Sequence, residues 1–263
     1  MAGQDNARKD WLIIGLYYLI WLGSAFIATK TPYLSSYVLA GLYTAMLIAI
    51  FWRFEALKQP LNINILKGIG WGLIAWGAVL MTMLGVSLLT KDATLGSSNT
   101  GLILTMMRKH WPYIGYIVIV APLLEEIVFR QCLYRRLDNW MTRHWPGMLP
   151  KAQFLVAAMI VALFFGMMHG DTSSWEYVLI SLLLQVLYRH YGDLRVNMAA
   201  HVTFNLATLI ALLVKIALYQ QLDWYSAIST FVNFVPNVRR SWYRQKEKGQ
   251  PVADLTTINV ALN

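Results

Sequence analysis

Glu125 and Glu126 stand side by side in APLLEEIVFRQCLYRR (residues 121–136), an otherwise apolar run, with Arg130 four positions after the second of them. A charge in the bilayer centre costs about 3 kcal/mol even on insertion scales, so ionisable groups there face one another or a polar cavity and mark a candidate functional site. Glu126 and Arg130 share a helix face at i, i+4 and are expected to pair. Glu125 is turned about 100° away by the helical period, which leaves it for a cavity. Two further polar sites lie in apolar stretches: Phe165 and His169 share a face in ALFFGMMHG, and His201 and Asn205 share one in NMAAHVTFNLA. A carboxylate, two imidazoles and an amide suffice for acid–base hydrolysis with a donor for an oxyanion. Taken singly, each has a plainer role as a packing ion pair or a hydrogen-bonded structural histidine. Their joint presence on three helices points to chemistry.

The surrounding composition is that of a membrane protein. Of 263 residues, 57% are hydrophobic and only 13% charged, against about a quarter charged in soluble domains, and the mean hydropathy is +0.48. The 22 Lys and Arg against 13 Asp and Glu are spread through short connections and a final tail, a pattern that sets membrane orientation and builds no nucleic-acid face. Cys132 is the only cysteine, so no intramolecular disulfide forms, and it reads as a small apolar residue of a buried helix. There is no internal repeat, which argues against an inverted-repeat transporter.

These features predict an all-α, polytopic helical bundle of about eight transmembrane helices. Apolar runs at 11–28, 33–52 and 69–89 each approach the roughly 20 residues a span requires; the first is too long for the apolar core of a signal peptide and is read as a retained span. The segment 90–111 forms the longest connection, with a flexible GSSNTG portion and a short interfacial helix at 102–107. Pro112 suits a helix first turn and opens a fourth span running to about Leu137. A fifth covers Gln153 to His169, a short sixth Trp175 to Tyr188, and a seventh Val196 to Tyr219, after a turn at Gly192 bracketed by Arg189 and Arg195. With a cytoplasmic N terminus, Arg53, Lys58, Lys67, Arg135, Arg136, Arg143, Lys151, Arg189 and Arg195 fall on the cytoplasmic side. An eighth crossing at 224–235 would bring the basic tail, 236–263, to that side as well, where it would meet anionic lipid. The expected organisation is a transmembrane domain over 1–235 and a cytoplasmic tail, in a bacterial cell membrane.

Three motifs in order carry a family resemblance: Glu125-Glu126-Ile127-Val128-Phe129-Arg130, then Phe165-Gly166-Met167-Met168-His169, then His201-Val202-Thr203-Phe204-Asn205. The set resembles the CPBP intramembrane proteases, which include the Rce1-type CAAX prenyl endopeptidases and bacterial relatives linked to bacteriocin processing or immunity. The resemblance covers a core of about 112–209; the first three spans and the tail carry none of it. It implies a glutamate-dependent endopeptidase acting on a membrane-associated peptide or protein. By motif position, Glu125 and His169 would hold and activate a water, with Glu125 as general base, His201 and Asn205 would stabilise the oxyanion, and Glu126, Arg130 and Phe165 would support the site.

No cofactor is expected. The alternative is a zinc ion held by Glu125, His169 and His201, a His2Glu set like that of several catalytic zinc sites, although the spacing is not His-Glu-x-x-His. Two rivals come from other classes: a non-catalytic membrane scaffold or immunity-type regulator, and a proton or ion transporter using the same buried groups. Geometry supplies a limit, since imidazoles more than about 12 Å apart could not serve one substrate atom or bridging water.

Overall fold

The computed structural model describes residues 2–28, 30–53, 62–90, 112–170 and 174–219. Seven helical rods account for them: α1 (Ala2–Ala28), α2 (Pro32–Arg53), α3 (Ile63–Thr90), α4 (112–144), α5 (Pro150–Met168), α6 (Ser174–Tyr191) and α7 (Leu194–Tyr219). The fold is therefore all-helical, as composition and hydropathy predict. Five of these helices have stretches long and apolar enough to cross a membrane: Ala7–Ala28, Leu34–Trp52, Ile63–Thr90, Pro150–Met168 and Leu194–Val214. In α4 the acids and Arg130 interrupt the apolar run, and the 18 residues of α6 include Glu176 and Arg189. The expected eighth span, the interfacial helix, the GSSNTG loop and the tail all lie outside the described residues.

Local chemistry sets the helix ends. Asn62 caps α3, its Oδ1 accepting from the Asn64 N–H at 2.9 Å, so that helix starts six residues before the apolar run counted from Ile69. Pro150 occupies the first turn of α5, where its missing N–H costs nothing. Between α6 and α7, Gly192 has φ +64°, a left-handed conformation that glycine takes without strain. Asp193 then caps α7, its Oδ1 accepting from the Arg195 N–H at 3.0 Å.

Helix α4 is the axis of the bundle. Leu124, Ile127, Val128, Phe129 and Cys132 are all fully buried, with α1, α2, α5 and α7 packed around them. Apolar side chains such as Leu19, Phe26, Trp52 and Leu88 are exposed on the first three helices, as lipid-facing positions are. The tightest seam joins α3 to α7. A Cβ on Gly72 would lie 2.3 Å from the Ala200 carbonyl oxygen and one on Gly68 2.4 Å from that of Val196, so this Gly-x-x-x-Gly face admits only hydrogen against the α7 backbone.

Arg135 and Arg136, expected in a connection, stand instead on the last part of α4. Both pair with Asp10 of α1, which is only 1% exposed. That carboxylate neutralises the arginines and lets the helix run on to His144. It also ties the start of α1 to the far end of α4, so both lie at one end of the bundle.

Candidate active site

The acid pair occupies a short α-helical stretch, Ala121–Glu126, set between two π-helical stretches, Tyr116–Val120 and Ile127–Tyr134. Such widened turns inside helices are uncommon and concentrate at functional sites. The Ala121 N–H bonds to the Tyr116 carbonyl, so Ile117 would need the N–H of residue 122, and that residue is proline. Asn205 of α7 supplies the missing donor, its Nδ2 standing 3.0 Å from the Ile117 oxygen. Asn205 thus meets α4 about two turns before the glutamates, with a second amide hydrogen left over.

At the level of the acids, six side chains converge. Glu126 and Arg130 are both fully buried and pair through Nε and Oε2 at 3.2 Å, as their spacing predicts. The Arg130 Nη2 donates to the Ser181 carbonyl at 3.1 Å and to its hydroxyl at 3.2 Å. Asn197 donates to Glu126 Oε2 at 3.1 Å and to the Leu184 carbonyl at 2.7 Å. The remaining carboxylate oxygen, Oε1, lies 2.8 Å from His201 Nδ1. A carboxylate paired with arginine only accepts, so Nδ1 carries a proton and Nε2 is turned elsewhere. Nε2 faces Glu125, whose Oε2 is 3.7 Å away, too long for a direct hydrogen bond. The Glu125 side chain is 14% exposed where that of Glu126 is closed off entirely. The two neighbouring acids therefore differ as the 100° offset predicts, and one imidazole bridges them.

Phe165 is the hub on which the groups rest. Its ring centroid is 5.4 Å from the Arg130 guanidinium carbon and 5.0 Å from the Phe129 ring. His169 lies 4.8 Å from it and His201 6.0 Å, which puts the two imidazoles within the 12 Å limit. His169 ends α5, donates from Nδ1 to the Phe165 carbonyl at 2.8 Å and stacks on Tyr177 of α6 at 3.8 Å. Since a carbonyl only accepts, Nδ1 carries a proton.

Several participants escaped the sequence reading. Asn197 had a usable signal, because it precedes His201 by the same four residues that separate His201 from Asn205. Ser181 had none, being an ordinary hydroxyl in a helix. The first three spans carry no motif, yet Tyr17 of α1 and Tyr43 of α2 stack at 4.8 Å, and Tyr17 meets Phe129 edge-on at 5.9 Å, so both helices buttress the hub. No three His, Cys, Asp or Glu side chains among the described residues are grouped to hold a metal ion.

Residues 106–207, which include all three motifs, match the family described as Type II CAAX prenyl endopeptidase Rce1-like. Over 106 residues the chain is 28% identical to the membrane-embedded CAAX protease MroQ of Staphylococcus aureus (strain USA300), covering 39% of this chain and 41% of that one. Over 99 residues it is 33% identical to the UPF0177 protein YvdC of Lactococcus lactis subsp. lactis (strain IL1403), covering 36% and 33%. The alignments thus span less than half the length of either relative. No solved structure matches the chain. The helical core at 106–207 is therefore similar to the Rce1-like family of CAAX prenyl endopeptidases, in agreement with the resemblance that the three motifs carry.

Proposed function

We propose that this chain is an intramembrane endopeptidase that hydrolyses a peptide bond in a membrane-associated peptide or protein. One observation carries the reading: an imidazole bridging two carboxylates, one buried against arginine and one open, inside an apolar bundle. The core's family is consistent with it.

In this mechanism Glu125 and His169 hold a water between them, with Glu125 accepting one of its hydrogen bonds. Glu125 takes the proton as the water oxygen adds to the scissile carbonyl carbon. Neutral His201 has no hydrogen on Nε2, so it serves the oxyanion only after receiving the proton from Glu125. Held between both acids as imidazolium, it then donates to the oxyanion together with the second Asn205 N–H, and passes the proton to the departing amine. Glu126 keeps the His201 ring in register throughout, which extends its part beyond pairing with Arg130. No step needs a metal. Arg135, Arg136 and Arg195 lie at the end of the bundle that holds Asp10, and the positive-inside rule makes that end cytoplasmic.

Membranes containing the wild-type chain or Glu125→Ala are compared by mass-spectrometric profiling of new protein termini. Termini present only with wild type are expected. Identical profiles, with function retained in both Glu125→Ala and His169→Ala, would instead favour the scaffold or regulator. Ion flux in proteoliposomes without any cleavage would favour the transporter.

A further inference from the structure

The Glu126 carboxylate has a competing arrangement close at hand. An arginine guanidinium prefers to grip a carboxylate with two parallel N–H bonds, and Arg130 lies on the same helix face. Were it to do so, both oxygens would turn toward Arg130 and His201 Nδ1 would lose its acceptor. Two residues stand against that outcome. Ser181 occupies the Arg130 Nη2 with its carbonyl and hydroxyl, leaving Nε for Glu126. Asn197 occupies Oε2 on the carboxylate side. Its orientation is settled chemically, because both atoms facing its amide, Glu126 Oε2 and the Leu184 carbonyl, are acceptors and only the NH2 group can meet them. Asn197 is fully buried, and the bond to Leu184 anchors it to α6, so it holds Glu126 against a fixed point on another helix.

We infer that Asn197 is a positioning residue: by holding Glu126 Oε2 it leaves Oε1 for the His201 Nδ1–H and selects the tautomer whose Nε2 faces Glu125. The inference rests on the protease reading only in what the tautomer is for; the lock itself is a property of α4, α6 and α7. A group that merely filled space would be replaced by leucine without consequence for the imidazole.

The test uses the full chain with 15N-labelled histidine, in Asn197→Leu, which keeps the volume, and Asn197→Thr, which keeps a donor. Asn197→Ala removes the donor without added bulk and serves the same measurement if the leucine variant does not fold. The wild-type His201 signals are expected to report one species protonated at Nδ1, retained in Asn197→Thr, and a mixture of tautomers in the donor-free variants. With a cleaved substrate in hand, kcat falls about 10- to 100-fold in those variants, the range seen when partners that orient metal-ligating histidines are removed, while KM stays within about twofold. A single Nδ1–H tautomer in the donor-free variants, with wild-type kcat, overturns the inference and leaves the protease reading intact. A chain that cleaves nothing, yet loses its tautomer lock in Asn197→Leu, overturns the protease reading and leaves the inference standing.

Discussion

Helix α7 meets its neighbours along two seams of opposite kind. Toward α3 the contact is backbone against backbone, with Gly68 and Gly72 under the carbonyls of Val196 and Ala200. Toward α4 and α6 it is a file of polar side chains, Asn197, His201 and Asn205, each engaged with a named partner. The first seam depends on volume and is indifferent to charge. The second depends on the pairing of donors with acceptors, because an unpaired polar group buried in the bundle costs far more than a small misfit. The close seam thus sets where α7 stands, and the polar seam uses that placement to bring an imidazole between two carboxylates.

Arg130→Met breaks the polar seam most severely. It leaves Glu126 buried without its cation, and breaking a buried pair in this way costs about 3–5 kcal/mol. Reversible unfolding in detergent should show that loss, and adding Glu126→Gln should recover much of it, since removing both charges removes the uncompensated one. Unchanged stability in Arg130→Met would show that the pair is not a buried one.

Gly72→Val attacks the other seam. Its Cβ would meet a backbone oxygen that cannot rotate away, so α7 must shift, at a cost of about 1–3 kcal/mol for overpacking. Activity should fall together with stability, because a displaced α7 carries His201 away from Glu125. A stable Gly72→Val protein without activity, or an active one without loss of stability, would separate the two seams.

The smallest effect lies at the α7 cap. Hydrogen bonds from the Arg195 side chain, opposed by partial burial, hold the Asp193 carboxyl below the usual carboxylate range. A lowered folded-state value contributes stability that is present above the unfolded value of about 4 and is lost as pH falls below it. The melting difference between wild type and Asp193→Asn should be present at pH 7 and shrink below about pH 4. Its size should stay under about 1 kcal/mol for a solvent-screened pair. A difference that grew on acidification would refute the assignment.

Much of the site was legible because helical spacing alone places i and i+4 together. Glu126 with Arg130, the divergence of Glu125 and the shared faces of Phe165 with His169 and of His201 with Asn205 all follow from the 3.6-residue period. The helix starts at Asn62 and Pro150 were less legible, since a hydropathy window registers the apolar run and passes over the polar or prolyl residue that begins the helix. The widened turns flanking Ala121–Glu126 left no mark in composition, and neither did the use Asn205 makes of the carbonyl that Pro122 strands.

The sequence by itself determined an all-helical membrane protein with an acid pair, an internal arginine and two histidines on three helices, because burying charges among apolar residues is costly enough to require a purpose. It also determined that neighbouring glutamates must diverge. Only the tertiary structure decided which acid His201 would bond, that Asn197 and Ser181 would keep Arg130 from claiming Glu126 alone, and that tyrosines from the first two helices would brace the hub. Those outcomes depend on distances between segments far apart in the chain, 75 residues for Glu126 and His201 and 51 for Arg130 and Ser181, and local periodicity contains no information about distances of that kind.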